Sequence, residues 1–218
     1  MRQIKKPVPG TPPLTAGNPI CDRIIGAAFS AFMELGYTAT SMLEIATRAK
    51  VSKRDLYANF ASKQAVLLAC IATRATRMRL PAAIPVPTGR KMLVATLATF
   101  GATVIREVSQ PAVMAMFRLA IAEAEHAPEV AETLGNSRLV TRGALADLLA
   151  HAQASGILGR GDPAQMMEQF FALLWGDFMV SRLLGVAAPL TPAEIARRAD
   201  TATEVFLRLY GKPTEGAS

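Results

Sequence analysis

Histidine, cysteine and tryptophan are scarce in this 218-residue chain, which contains two, two and one of them. The cysteines, Cys21 and Cys70, lie far apart with no CxxC pattern, which indicates a reducing compartment without a disulfide framework. Neither His126 nor His151 lies in a metal-ligand pattern. A GxSxG motif, a P-loop and a dinucleotide fingerprint after a strand are also missing. We therefore expect no bound metal, no cofactor and no enzymatic activity.

Long hydrophobic runs are missing as well. The longest uncharged stretch outside the proline-rich start of the chain, residues 92–105, is shorter than the ~20 residues that a membrane helix needs. The first nineteen residues hold five prolines and lack the apolar core of a secretory signal. We see no basic amphipathic helix with aromatic anchors, which a membrane-surface binder would need. We expect a cytoplasmic protein with no membrane partner.

The positive charge of the chain is concentrated in its first part. Residues 1–91 contain 14 Lys/Arg and 4 Asp/Glu, a balance of +10, whereas residues 92–218 contain 10 and 13, a balance of −3. A basic segment of this kind favours a polyanionic partner, either nucleic acid or an anionic membrane surface. With 51% hydrophobic and 19% charged residues, the chain can bury a sizeable core in one large or two small domains.

The spacing of apolar residues predicts an all-α protein in three parts. Residues 1–18 are basic and rich in proline, which predicts a disordered tail. Residues 19–80 show helical spacing, and prolines and a glycine then interrupt the chain around residues 80–89. Residues 81–218 form the second, larger helical part.

Local signals delimit the helices of the first part. Gly36 is a natural residue to follow the end of the first helix. Ser41 and Glu44 have the spacing of a capping box, and Ser52 and Asp55 have a weaker version of it. The helix that Ser52 opens, residues 53–60, has only about two turns.

A longer helix is predicted from Ser62 towards Arg79. Gly135 and Asn136 could split one of the helices that follow. Prolines at their starts and glycines at their ends predict five more helices, at residues 90–108, 111–125, 128–155, 163–185 and 192–210.

Residues 41–60 have the form of a helix-turn-helix. The second helix is too short to be stable alone, so Leu56 and Phe60 would clamp it through one apolar stripe. Its other faces carry cationic and amide side chains, which suit the major groove of DNA. A solvated helical hairpin without DNA contacts is the alternative.

The sequence IIGAAFSAFMELGYTATSMLEIATRAKVSKRDLYANFASKQAVLL, residues 24–68, resembles the DNA-binding domain of TetR/AcrR-type regulators without a gap. The segment RLAIAEAEHAPEV, residues 118–130, resembles the C-terminal domains of some members more loosely. The resemblance implies an N-terminal three-helix helix-turn-helix domain, joined by a long helix to a larger helical ligand-binding and dimerisation domain. The matching positions are Phe32, Gly36, Tyr37, Thr40, Ile45, Ala46, Ala49, Val51, Ser52, Leu56, Tyr57, Phe60, Lys63 and Leu67.

The same resemblance implies which residues meet DNA. Thr40, or Ser41 beside it, would contact a phosphate, as would Tyr57 and Lys63, and the recognition helix would present its polar residues to the groove. Phe32, Ile45, Leu56 and Phe60 would be core residues. The full predicted set of DNA-binding residues is Thr40, Ser41, Lys50, Ser52, Lys53, Arg54, Asp55, Tyr57, Asn59 and Lys63.

Three of these residues depart from the family pattern. Lys50 stands where the family usually has glycine, and a positive φ there would cost about 1 kcal/mol. Asp55 could cap its own helix or accept a hydrogen bond from a cytosine. Asn59 could bind adenine or touch only the DNA backbone.

The family pairs through its last helices, which here predicts a homodimer through residues 138–155 and 163–184. Each segment carries an apolar stripe, for which internal packing is the alternative. An effector pocket is implied inside the second part, although its candidates could also be plain core. Arg118 could bind a ligand carboxylate, Glu123 or Asp177. The pocket candidates are Met78, Phe100, Met114, Phe117, Arg118, Met167, Phe171 and Trp175.

The resemblance thus implies a repressor that binds a pseudopalindromic operator as a homodimer. A small, largely apolar effector would release it from double-stranded DNA. A non-specific, architectural DNA-binding protein is the alternative that the basic N-terminal part would also suit.

Overall fold

A computed structural model of the chain describes residues 18–75 and 86–212. Every named secondary-structure element in these ranges is an α-helix. The predicted tail up to residue 17, Met78, the helix end towards Arg79 and residues 80–85 of the domain boundary lie outside the described residues. The ten helices are α1 (Pro19–Leu35), α2 (Met42–Ala49), α3 (Lys53–Asn59), α4 (Lys63–Ala75), α5 (Arg90–Val108), α6 (Pro111–Ala122), α7 (Pro128–Ala154), α8 (Pro163–Trp175), α9 (Phe178–Leu184) and α10 (Pro192–Tyr210).

Local sequence signals account for most of these boundaries. Five of the ten helices begin with proline, whose fixed φ and missing N–H suit the first turn of a helix. The α1 helix ends as predicted at Gly36, which adopts a φ of +82° and donates its N–H to the carbonyl of Phe32.

The first hydrophobic core joins α1–α4 to the body of the protein. Phe32, Ile45 and Leu56 are fully buried in it, and Phe60 is 5% exposed, as predicted for core residues. Ile24 is fully buried there as well. The C-terminal half of α6 and the start of α7 contribute Met116, Leu119, Ala120, Ala127 and Val130 to the same core. The DNA-binding part is therefore packed on the body through α1, which contacts α6, and α4, which contacts α7.

The second core lies between α5, α7, α8 and α10. The rings of Phe170 and Phe206 meet edge to face at its centre, 5.6 Å apart. The apolar stripe on which we based the first dimer segment is part of this core: Leu145, Leu148, Leu149 and Ala152 are all at most 4% exposed. A partner chain would have to contact other faces of α7.

The single helix predicted at residues 163–185 was wrong, because the chain forms α8 and α9 there. Gly176 ends α8 with a φ of +46° and a ψ of −136°. Arg198 of α10 stabilises this break, since its guanidinium donates to the carbonyls of Leu174, at 2.6 Å, and Trp175. In a continuous helix these two carbonyls would accept backbone N–H groups of the next turn, and the guanidinium takes the place of those donors.

The helix predicted at residues 128–155 forms as α7, Pro128–Ala154, whereas the predicted end of α6 is wrong. Gly135 and Asn136 do not split α7, which runs uninterrupted for 27 residues. The α6 helix ends at Ala122 instead of residue 125, and Glu123 is its C-cap.

Within residues 18–75 and 86–212, no single helix is long and apolar enough to cross a membrane. The α5 and α6 helices pass that test of length and composition only as a pair, and they are bent by 69° at their junction. The same part of the chain contains no group of three or more His, Cys, Asp or Glu residues that could hold a metal ion.

Candidate functional site

The turn between α2 and α3 depends on an unusual backbone conformation at Lys50. Lys50 has a φ of +54° and a ψ of +46°, and it is the one non-glycine residue with a positive φ in the described parts of the chain. Its N–H donates to the carbonyl of Thr47 and that of Val51 donates to Ala46, at 3.2 and 3.1 Å. These two bonds form a Schellman motif, whose left-handed position favours glycine.

The α3 helix is held at its N-terminus by a pair of side chains. Ser52 Oγ accepts the backbone N–H of Asp55 at 3.0 Å and donates its own proton to Asp55 Oδ2 at 2.6 Å. Asp55 therefore helps to cap its own helix, which is one of the two roles considered for it.

The predicted capping box at α2 forms only in half. Ser41 accepts the N–H of Glu44 at 3.1 Å, but the carboxylate of Glu44 binds Arg48 Nε at 2.7 Å instead of the N-cap backbone. Arg48 also reaches Glu34 of α1 at 2.6 Å. The expected bond from the Glu44 carboxylate to the backbone of Ser41 is thus replaced by an ion pair with Arg48, which also joins α2 to α1.

The outer face of α3 carries polar side chains that have no bonding partner among residues 18–75 and 86–212. Lys53, Arg54 and Tyr57 are exposed, and none forms a side-chain bond with another of the described residues. Leu56, on the opposite face, is fully buried and fixes the helix on the first core. A clamped helix with two cations and a phenol directed outward can contact phosphates and base edges.

Thr40 and Asn59 are bonded inside the protein, which differs from the outward contacts expected of them. Thr40 is 1% exposed, and its hydroxyl lies 2.7 Å from the carbonyl of Gly36. The amide of Asn59 donates to the carbonyl of Asp55 at 2.7 Å and accepts from Cys21 Sγ at 3.1 Å. Beside Thr40, Ser41 is the exposed residue.

Lys63 lies beneath the loop between α1 and α2 and does not point freely outward. Its ammonium donates to the carbonyls of Tyr37, Thr40 and Thr38 at 2.7, 3.0 and 3.3 Å, and it lies 4.4 Å from the centre of the Tyr37 ring. Burial lowers the pKa of Lys63, against the opposing effect of Glu123. Lys63 therefore fixes this loop on the start of α4.

Glu123, the C-cap of α6, binds the same loop from the side of the body. It accepts the backbone N–H of Thr38 at 3.1 Å and the Thr38 hydroxyl at 2.5 Å. These bonds hold the pKa of Glu123 below its usual value. Burial, followed by the neighbouring carboxylate of Glu129, raises the pKa of Tyr37 to about 12. A polar cluster thus joins α6 and α7 to the DNA-binding helices.

A cavity of about 300 Å³ lies inside the body between α5, α6, α7, α8 and α9. Of the predicted pocket residues, Phe117, Phe171 and Trp175 line it. Phe100 and Met167 are buried in the second core instead, and Met114 is 2% exposed without lining the cavity.

Among the described residues, Arg118 pairs with neither Glu123 nor Asp177. Its guanidinium donates to the carbonyls of Arg182 and Leu183 at 2.8 and 2.9 Å. It therefore joins α6 to the C-terminal end of α9, where cations are favoured by the helix dipole.

Sequence reasoning missed Arg138 and Arg142, which also line the cavity. Their spacing of four residues on α7 was a usable signal, because like charges at i and i+4 destabilise a helix unless a counter-charge compensates.

The described residues combine a short, exposed cationic helix, clamped in a helix-turn-helix, with a cavity in the helical body. This is the architecture of a DNA-binding regulator. A family model described as "Bacterial regulatory proteins, tetR family" matches residues 24–70. A second, described as "AefR-like transcriptional repressor, C-terminal domain", matches residues 95–212. The chain belongs to the TetR family of transcriptional regulators, which have a DNA-binding domain and are not enzymes.

Solved structures show the same fold along nearly the whole chain. The flavonoid-responsive regulator FrrA is 29% identical, with a TM-score of 0.76 over 89% of this chain and 98% of its own. A TetR-family regulator from Pseudomonas syringae pv. tomato DC3000 is 28% identical, with a TM-score of 0.67 over 88% and 97%. A TetR regulator from Agrobacterium tumefaciens, 24% identical with a TM-score of 0.74 over 89% and 96%, shares the fold. No curated protein sequence matches the chain.

Proposed function

We propose that this regulator is a repressor that binds a pseudopalindromic operator as a homodimer and is released by a small effector bound in the cavity of its body. The observation that carries the DNA-binding part is the outer face of α3. Lys53, Arg54 and Tyr57 are exposed there without side-chain bonds to other described residues, whereas Asp55 and Asn59 are bonded within the protein. The free groups are the ones available to a groove or a phosphate.

Pairing is supported by the small size of this surface. One seven-residue recognition helix buries little DNA, and two copies would double the contact and fix the spacing of two half-sites. The proposed interface uses residues 138–155 and 163–184, through outward faces that leave Leu139, Val140, Val180 and Leu184 exposed.

The effector part is supported by the position of α6. Phe117 lines the cavity, and Glu123, six residues further on, binds the loop before α2. At 1.5 Å per residue these positions are about 9 Å apart along the helix. A ligand that favours a different position of α6 would shift the population away from the DNA-binding geometry. FrrA, which is similar over 89% of this chain, is named as flavonoid-responsive.

The test is a fluorescence anisotropy titration with DNA from upstream of the chain's own gene and with a shuffled control, at two salt concentrations. A specific regulator of its own gene should prefer the upstream DNA by ~10³ or more, with a steep dependence on salt. Salt-sensitive binding without preference for any genomic fragment would favour the architectural alternative.

Charge-matched variants locate the surface. Lys53→Ala and Arg54→Ala should each weaken operator binding, whereas Arg160→Ala removes an exposed charge from the loop between α7 and α8 and should leave it unchanged. Equal effects at all three positions would contradict the proposed role of α3.

Sedimentation tests the dimer separately. The wild-type chain should sediment as a dimer at micromolar concentration, and Val180→Arg should weaken pairing. Leu43→Arg, which changes an equally exposed apolar residue on α2, is the matched control. A wild-type monomer would contradict the homodimer.

A further inference from the structure

The cavity in the body is apolar over most of its lining but carries an excess of positive charge. Its ionisable lining residues are two guanidiniums, Arg138 and Arg142, and one carboxylate, Glu107. Glu107 is already engaged at the corner between α5 and α6, where it pairs with Arg106 at 3.5 Å and accepts from Gln110 at 3.0 Å. It therefore does not neutralise the two arginines.

The two guanidiniums have little compensation elsewhere. Arg142 meets Glu168 at 3.6 Å, but the side chain of Glu168 is 66% exposed, and such surface pairs contribute little. Arg138 forms no ion pair within residues 18–75 and 86–212. Arg138 is exposed as a residue, but its guanidinium lies 5.9 Å from the centre of the Phe117 ring. Desolvation, followed by the charge of Arg142, lowers its pKa.

This arrangement is unfavourable for the empty protein. Like charges four residues apart on one helix repel each other, and moving a charge towards an apolar cavity costs solvation energy. An anion between the two arginines would offset their repulsion. A guanidinium binds a carboxylate through two parallel N–H···O bonds, which is stronger than contact with a neutral acceptor.

The rest of the lining defines the body of such a ligand. The rings of Phe117 and Phe171 and the indole of Trp175 surround the space, and the Arg142 guanidinium lies over Phe171 at 5.2 Å. Aromatic walls favour flat rings, and a volume of about 300 Å³ is at the lower end of ligand pockets.

We infer that the cavity binds an aromatic organic carboxylate of one or two rings, with its carboxylate between Arg138 and Arg142 and its rings against Phe117, Phe171 and Trp175. This ligand class rests on the proposed effector function of the same cavity. The inferred site disfavours cationic ligands, and neutral aromatic compounds should bind it with lower affinity than carboxylates.

Isothermal titration calorimetry of the full chain, without DNA, tests the inference with three probes of one shape: 2-naphthoate, 2-naphthamide and 2-naphthylmethylammonium. The carboxylate should bind at least about tenfold more tightly than the amide, and the ammonium should bind least. Arg138→Gln and Arg142→Gln should each remove most of the preference for carboxylate over amide while leaving the amide affinity nearly unchanged. Arg160→Gln, the charge-matched control, should leave the preference intact.

Equal affinity for carboxylate and amide, tighter binding of the ammonium, or no saturable binding of the carboxylate up to millimolar concentration would overturn the ligand class. Circular dichroism spectra and thermal unfolding of the variants exclude loss of fold as the cause. Because the titration contains no DNA, its failure leaves the operator-binding measurement standing, and a failure of operator binding leaves this result standing.

Discussion

Glu123 at the end of α6 accepts both the backbone N–H and the hydroxyl of Thr38, which lies 85 residues earlier in the loop between α1 and α2. One carboxylate thereby connects the helix that lines the cavity to the loop that precedes the helix-turn-helix. Because Lys63 binds three carbonyls of the same loop, side chains of both the body and α4 hold the loop in place.

The first prediction concerns the strength of the contact between Glu123 and Thr38. Glu123→Gln replaces a charged acceptor by a neutral one and removes the acceptor for the Thr38 hydroxyl. We expect a loss of about 1 kcal/mol in the free energy of unfolding at pH 7, towards the low end for charged hydrogen bonds because the pair is exposed. Urea unfolding measures this loss, and Glu125→Gln, at an exposed position on the same turn, is the control.

The pH dependence of that loss has a definite sign. The pKa of Glu123 is lower in the folded protein than its ordinary value, so its stabilisation is present above the unfolded pKa of about 4.3 and is lost as the pH falls through the folded pKa. The difference between wild type and Glu123→Gln should therefore be constant at pH 5.5 to 7 and shrink below pH 4. A difference that is the same at pH 3.5 and pH 7 would contradict the assignment.

The second prediction separates a structural from a DNA-binding role for Lys63. Lys63→Met leaves three loop carbonyls without their donor and should lower the free energy of unfolding by about 1–3 kcal/mol. The slope of log affinity for DNA against log salt should stay unchanged, since no phosphate contact is lost. Gln64→Met, at the adjacent exposed position, should affect neither quantity. A slope reduced by about one unit would instead assign a phosphate contact to Lys63.

Helix boundaries that depend on a few neighbouring residues could be predicted from the sequence. The end of α1 at Gly36, the caps at Ser41 and Ser52 and the proline starts all follow from local backbone chemistry. The break at Gly176 was not readable, because it depends on Arg198, which reaches it from another helix.

The same distinction applies to the candidate site. The exposed cations of α3 follow from helical spacing, but the inward bonds of Thr40 and Lys63 depend on how α1, α2 and α4 pack. The cavity arginines, Arg138 and Arg142, become meaningful only when Phe117 and Phe171 are brought beside them from other helices.

The third prediction concerns the left-handed backbone at Lys50. Lys50→Gly removes the strain of a Cβ at a φ of +54° and should raise the free energy of unfolding by about 0.5–1 kcal/mol. Lys50→Ala loses the same charge but keeps the Cβ, so it should give no such gain. A change in DNA affinity that both variants share would report the lost charge. Destabilisation by glycine would contradict the role of the turn conformation.

The last prediction uses three helix-interior glycines that differ in their surroundings. A Cβ on Gly101 of α5 would lie 2.9 Å from Leu174 Cδ1 and 3.4 Å from Ala199 Cβ, both in the buried second core. A Cβ on Gly26 of α1 or Gly135 of α7 would meet no atom of the described residues within 4 Å. All three gain the same helix propensity on replacement by alanine, about 1 kcal/mol.

Only the close approach at Gly101 opposes that gain, since overpacking a core costs about 1–3 kcal/mol. Gly26→Ala and Gly135→Ala should therefore stabilise the protein by about 0.5–1 kcal/mol in urea unfolding, whereas Gly101→Ala should destabilise it. Because the chemical change is identical, the difference in sign measures how closely α5 packs against α8 and α10. Stabilisation by Gly101→Ala equal to that of the other two would mean that these helices can move apart without cost.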